Sequence, residues 1–410
     1  MKPHDSTAPL AGVRVLEFGE FAAGPFCGLL LADWGADVVK VESPGGDRLR
    51  NWPPFLTDAD GGRMSANFVA LNRNKRSVVL DLKSAEGNAA ALDLCAAADV
   101  VVENHRPGVL ARRGLGYDAL SAINRRLVYC SVSGYGQTGP YADRGAFDVA
   151  IQAVSGLMSV TGEAGGPPAK AGIAVADFLA GSYAATSVLA ALRGAERSGL
   201  GAHIDCSMLA CMLSIATIQV SEYWGVGVPP VRLGTRHPQN APYQAFRGRD
   251  PSDYFVVAAG TQEQWERLCE LLELPELTSD SRYLTQSLRV KHQGELEATL
   301  APVFATRTSV EWMSRLDAAG IPCSPVYDYA QVLADPHVEQ SGLITEVPLA
   351  GGGSAKGLGN PVRMTGYTFD IVAPPPLLGA HNRDVYNEWC GGLAARDQRQ
   401  SGVQTSRPRT

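Results

Sequence analysis

This chain of 410 residues lacks the marks of several common protein classes. It has no surplus of positive charge. Its 36 lysines and arginines face 42 aspartates and glutamates, a formal net charge of −6, whereas a nucleic-acid binder shows a basic face. It reads as having no uninterrupted apolar run near the roughly 18 residues of a membrane span. Its opening, MKPHDSTAP, has no signal-peptide pattern and is expected to fray. No C-x-x-C spacing occurs among Cys27, Cys95, Cys130, Cys206, Cys211, Cys269, Cys323 and Cys390, and no histidine pair has metal-ligand spacing. Reduced, buried thiols are therefore expected, with no metal site. The expected setting is cytoplasmic, with neither membrane nor nucleic acid as partner.

What is present is alternation. Strand-like runs VRVLEF, ADVVKVE, SVVLDL, DVVVEN and LVYCSVSG fill the first 135 residues, with helical stretches such as SAEGNAAALDLCAAA and YDALSAINRRL between them. Short β-rich runs separated by helices imply βαβ units and a doubly wound parallel sheet, with ligands at the carboxyl ends of the strands. From Ala146 to Leu192 the chain is rich in Ala and Gly and reads as two helices around a Gly/Pro loop. GAHIDCSM reads as a further strand, followed by a helix through Tyr223. A loop-rich crossing leads to a smaller unit with strand YFVVAA and three helices. The polar tail RDQRQSGVQTSRPRT is expected to be disordered. The fold class is α/β.

The opening βαβ unit, RVLEFGEFAAGPFCGLLLADWGADVVKVE, raises the question of a nucleotide. Glu42 stands where a dinucleotide fold places its ribose-binding acid, but FGEFAAGPF has no second glycine for a pyrophosphate and puts Glu20 in the turn, where it would repel one. A Walker loop is excluded because Pro25 and Phe26 follow Gly24. Cations come later: Arg73, Lys75, Arg76 and Lys83, then Arg106, Arg112 and Arg113, each group beside an expected strand end. Separated cations suit a ligand with several phosphates, although solvated surface charge is the commoner origin of such clusters. One further residue stands out. Asp177 is the sole charge between Lys170 and Arg193, and by spacing alone it reads as the N-cap of an apolar helix.

LAGVRVLEFGEFAAGPFCGLLLADWGADVVKVESPGGDRLR, NRNKRSVVLDLK, ADVVVENHRPGVLARRGLGYDAL, SGYGQTGPYADR and VADFLAGSYAATSVLAAL occur in that order, with GIPCSPVYDYAQVLADPHVEQSGLI and PPPLLGAHNRDVY near the end. Together they resemble the class III CoA-transferases, the family of formyl-CoA and carnitine CoA-transferases. The resemblance implies a Rossmann-like large domain, a smaller α/β domain and an interlocked homodimer. Residues 1–222 would form the first part of the large domain, 223–330 the linker and small domain, and 331–410 a segment returning to the large domain. CoA or acyl-CoA would be the substrate, with no permanently bound cofactor. Ala22, Ala23, Ser43, Leu80, Lys83, Asn104, His105, Arg106, Arg112, Arg144 and Phe147 fall where the family contacts CoA. Asp177 matches the catalytic aspartate, which exchanges acyl groups through an anhydride and an aspartyl-CoA thioester. Some relatives cover the site with a glycine-rich loop. Here RLGTRHPQNAPYQAF carries Arg236 and His237 instead, suited to the far carboxylate of a diacid such as succinate. The related acyl-CoA racemases need a histidine where Phe147 stands, and Phe cannot move a proton. A CoA-binding protein without turnover is the remaining alternative, and an intact Asp177 speaks against it.

Overall fold

The computed structural model describes residues 7–391. The polar tail after residue 395 and the first six residues, on which fraying was expected, lie outside the described residues. Within the expected frayed stretch, Ala8 is instead buried.

The described residues divide into two compact units, one of residues 7–157, 171–225 and 339–391, the other of 158–170 and 226–338. The larger unit is built on strands β1 (Arg14–Phe18) and β2 (Asp37–Glu42), a short hairpin β3 (Phe55–Thr57) and β4 (Arg63–Ser65), and then β5 (Lys75–Val79), β6 (Val100–Glu103), β7 (Val128–Ser133) and β8 (Ala202–Ser207). Six of these form one sheet in the order β5-β2-β1-β6-β7-β8, every neighbouring pair parallel. The strand order reverses between β1 and β6, which is where such a sheet opens a crevice.

Strand residues alternate between two cores. Val15, Val38, Val100, Val102, Val128 and Cys130 enter one, and Leu16, Phe18, Val39, Val41, Val101 and Tyr129 enter the other. Both faces are covered, so the strands read as continuous valine-rich runs. In chain order the first eight helices are α1 (Ala23–Asp33), α2 (Ala66–Asn72), α3 (Ala85–Ala97), α4 (Tyr117–Ile123), α5 (Asp148–Val154), α6 (Leu157–Val160), α7 (Val175–Ser198) and α8 (Met208–Ile215). Of these, α1, α5, α7 and α8 supply the first core, while α3 and α4 cover the other face.

The region expected to hold two helices holds three, because Gly156 breaks α5 from α6 with a positive φ. Helix α7 corrects the reading of apolar runs. By length and composition it could cross a membrane; one stripe of it, Ala176, Ala180, Ala184 and Val188, is fully buried in the first core. Its contact with α1 is close because position 181 is glycine: a Cβ there would stand 2.7 Å from the Ala23 carbonyl oxygen. The eight cysteines are free thiols, six of them buried and Cys323 and Cys390 partly so.

One feature of the first core is not apolar. Glu17 of β1, Lys40 of β2, Lys75 of β5 and Asp47 form a buried quartet. Lys40 Nζ lies 3.0 Å from Glu17 and 2.8 Å from Asp47, and Lys75 Nζ lies 2.8 Å from Glu17. Burial pushes the Glu17 carboxyl upward, but Lys75 and Lys40 more than offset this and hold it below its usual value. Burial also lowers Lys75, to about 8.

The smaller unit has an antiparallel sheet of Tyr243–Arg247, Tyr254–Ala258 and Cys323–Pro325. Helices Gln262–Leu271, Gln293–Phe304 and Ser309–Ala318 pack on it around Trp265, Phe304 and Trp312. The first and third of these begin with capping boxes, Thr261 with Gln264 and Thr308 with Glu311.

Candidate active site

A cavity of about 370 Å³ opens at the reversal of strand order in the larger unit. Its floor is the turn after β1. Asn104, just past β6, holds this turn with both ends of its amide: its Oδ1 accepts from Glu20 N at 3.0 Å and its Nδ2 donates to the Glu20 carbonyl at 2.9 Å. Lys40 Nζ donates to the Gly19 carbonyl and Asp47 Oδ1 accepts from Phe21 N. The buried quartet therefore grips the turn from below. Helix α1 then starts at Ala23, after Ala22, which gives no side-chain cap, leaving its first amides available to an anion.

Asp177 lines the cavity with Ala22, Ala23, Asn104, His105, Arg106, Arg144 and Phe147. It is not the helix cap that its spacing suggested. Helix α7 begins at Val175, after an N-cap Ala174 that makes no side-chain cap bond, and Asp177 is the third helical residue. The capping oxygen comes from α5. Asp148 Oδ1 accepts from Ala176 N at 2.8 Å, and its Oδ2 accepts from Gln152 Nε2 at 2.6 Å. Gln152 in turn accepts from Ala171 N and donates to the Ile173 carbonyl. The segment leading into α7 is thus fixed by α5, which leaves the Asp177 carboxylate for the cavity. Burial, and then the Asp148 charge, push that carboxyl up to about 6. It is still ionised at neutral pH, and no hydrogen bond or cation acts to lower it. Phe178 meets Phe26 edge-on at 5.0 Å, an apolar wall beside it.

The other expected contacts divide into three groups. Arg106 lies against Gly145, its Nη2 2.7 Å from where a Cβ there would stand, and also lines a neighbouring cavity of about 290 Å³ with Glu103, Tyr117, Ser131 and His203. Arg144 stacks on Tyr141 at 3.8 Å. Burial lowers His105. Ser43, Leu80, Lys83 and Arg112 are not in the lining of the Asp177 cavity. Leu80 is in the core beneath α3, and Ser43, Lys83 and Arg112 are exposed. Arg236 and His237 belong to the smaller unit. There Arg236 is paired with Glu297, Nε to Oε2 at 2.7 Å, and His237 stacks on Tyr243 at 5.0 Å. Arg48 and Phe21 also line the cavity and were missed by the sequence reading. The available signal was position: Arg48 follows β2 at the carboxyl edge of the sheet.

The larger unit thus sets a crevice lined by Arg48, Arg106, Arg144 and the Asp177 carboxylate at the switch point of a doubly wound sheet. The sequence matches CoA-transferase family III over residues 10–382, and the chain belongs to that family as a CoA-transferase. It is 40% identical to a succinate–glutarate CoA-transferase of Agrobacterium fabrum over 93% of this chain and 95% of that one. A succinyl-CoA:mesaconate CoA-transferase of Haloarcula hispanica is 37% identical, over 92% of this chain and 96% of that one. Among solved structures, a CaiB/BaiF family protein from Brucella suis superposes with a TM-score of 0.84 at 38% identity, covering 93% of this chain and 99% of that one.

Proposed function

We propose that this chain moves CoA from a short dicarboxylyl-CoA to a second dicarboxylic acid, with succinyl-CoA as donor and Asp177 as the covalent relay. The observation that carries the reading is the Asp177 carboxylate in the wall of the cavity, pushed up to about 6 by burial and by Asp148, with no cation or hydrogen bond lowering it among the described residues. Dicarboxylate acids and succinyl-CoA are named for relatives such as those of Agrobacterium fabrum and Haloarcula hispanica.

The route begins with attack of an Asp177 oxygen on the thioester carbonyl. The C–S bond breaks, CoA leaves as thiolate, and a mixed anhydride remains. The thiolate attacks the Asp177 carbonyl of that anhydride, giving an aspartyl-CoA thioester and releasing the donor acid. The acceptor carboxylate then attacks this thioester, again releasing thiolate and forming a second anhydride. Attack of the thiolate on the acceptor's own carbonyl yields the new acyl-CoA and restores Asp177. Each step exchanges one activated carboxyl for another, so no net proton or energy input is needed. The first-turn amides of α1, at Ala22 and Ala23, are suited to hold the oxyanion. Phe26 and Phe178 keep water from the intermediates. Arg106 and Arg144 take the CoA arm, and the exposed Ser43, Lys83 and Arg112, beyond the cavity, take its adenosine and phosphate end, while Leu80 stays in the core. Phe147, which cannot carry a proton, favours this route over two-base racemisation. The working assembly in this reading is a cytoplasmic homodimer with no permanently bound cofactor.

The test is incubation with pairs of acyl-CoAs and free acids, reading new acyl-CoAs by mass spectrometry. Exchange between dicarboxylates and its loss in Asp177→Ala are expected, together with a hydroxylamine-sensitive adduct on Asp177 in the parent protein. Exchange that survives Asp177→Ala would remove the relay.

A further inference from the structure

The turn that floors the cavity carries a carboxylate, Glu20, which on its own would repel a phosphate-bearing substrate. Arg48 answers it. The Arg48 Nε lies 2.9 Å from Glu20 Oε2, and the guanidinium carbon stands 4.5 Å from the centre of the Phe21 ring. Phe21 is itself braced edge-on by Trp52 at 5.3 Å. Both Glu20 and Arg48 line the Asp177 cavity.

The base of this arginine is held in place, while its side chain is 67% exposed. Asp47 caps the short 3₁₀ turn that Arg48 begins, accepting from Leu49 N at 2.9 Å. The same carboxylate accepts from Phe21 N and pairs with buried Lys40. One aspartate thus ties the base of Arg48 to the base of its platform. Phe21 adopts φ of 62°, a costly conformation for a non-glycine residue, and it places the ring under the guanidinium. Only Nε is used on Glu20. The two Nη groups form the fork that matches phosphate or carboxylate oxygens.

We infer that Arg48, oriented by Glu20 and the Phe21 ring, is an anion receptor of this cavity that takes an anionic oxygen pair of the acyl-CoA substrate. The source of that pair is either a CoA phosphate or the far carboxylate of the acyl group. Glu20 is a positioning residue. The inference rests on the cavity being the acyl-CoA site.

The experiment measures KM, kcat and direct binding for the full chain and for Arg48→Met, Arg48→Lys and Glu20→Ala. Three substrates are used: succinyl-CoA, acetyl-CoA, which has no far carboxylate, and succinyl-pantetheine, which has no diphosphate. Arg48→Met is expected to raise KM and Kd about five- to tenfold for substrates bearing the recognised anion, with kcat within about twofold. Arg48→Lys, a point charge without a fork, should recover part of that loss, and Glu20→Ala should show a smaller rise of the same kind. Losses on both CoA esters but not on the pantetheine ester assign a phosphate. Losses on both succinyl esters but not on acetyl-CoA assign the carboxylate. Equal affinities of Arg48→Met and the parent for all three overturn the inference, as does a fall in kcat with KM unchanged. If the parent binds none of the three, the acyl-CoA reading fails as well, which distinguishes the two failures.

Discussion

At the scale of single residues, the informative contrast is between two aspartates 29 positions apart. Asp148 is fully used: one oxygen caps α7 and the other accepts from Gln152. Asp177 is unused by the fold, and its carboxyl is raised to about 6 by burial first and by the Asp148 charge second. A nucleophilic carboxylate must be ionised, so kcat/KM should fall as pH drops through about 6. Removing the neighbouring charge lowers the folded pKa of Asp177, so in Asp148→Asn the acid limb of the pH profile should shift to lower pH. The Asn oxygen still caps Ala176, but its amide opposes Gln152 Nε2, at a stability cost of about 1 kcal/mol. An acid limb that stays in place would mean that burial alone sets the pKa. The cap was misread from sequence for a physical reason: nothing local to Ala174 reveals an oxygen supplied by another helix.

At the scale of elements, α1 and α7 bring the amides of the β1 turn beside the carboxylate, and Gly181 sets how close they come. Gly181→Val places a branched side chain where a Cβ alone would stand 2.7 Å from the Ala23 oxygen and 3.0 Å from the Phe26 ring. A destabilisation of about 2–3 kcal/mol and a fall in kcat larger than the rise in KM are expected, measured by urea unfolding and steady-state exchange. Unchanged kcat would show that the α1–α7 spacing does not matter to the reaction. The same elements show what the sequence discloses. Strands β1, β2, β6 and β7 were legible because each is buried and rich in valine-like residues; β5 was legible only over Ser77–Val79, because it opens with Lys75 and Arg76, both buried in ion pairs. The hairpin Phe55–Thr57 with Arg63–Ser65 was not legible, because its strands have three residues each and Phe55 and Thr57 are exposed. Asp177, Ala22 and Asn104, which line the cavity, were singled out through family motifs. Arg48 was not, because its role depends on a pairing with Glu20 across 28 residues, and an exposed arginine after a strand looks like any other.

At the scale of the whole molecule, the chain closes its larger unit with its last described helix, Asn382–Cys390, which lies on the α3 face of the sheet. Trp389 donates from Nε1 to Asp37 Oδ2 at 2.8 Å, and Glu388 meets Arg76 at 2.6 Å. Trp389→Ala should cost about 3–4 kcal/mol, seen as a lower urea midpoint. Because this helix is on the sheet face away from α7, KM at 25 °C should change less than twofold. A midpoint equal to the parent's would show that the helix contributes little. The quartet of Glu17, Lys40, Lys75 and Asp47 bears on how such a chain assembles. Its members come from three strands and a loop, and each charge is tolerable in hydrocarbon only when its counterions have arrived. An intermediate with β1 and β2 paired but β5 absent would hold Glu17 facing one cation instead of two. Partial assemblies of this sheet are therefore penalised, and β1, β2 and β5 should join in a single cooperative event, with the floor of the catalytic crevice formed in the same instant.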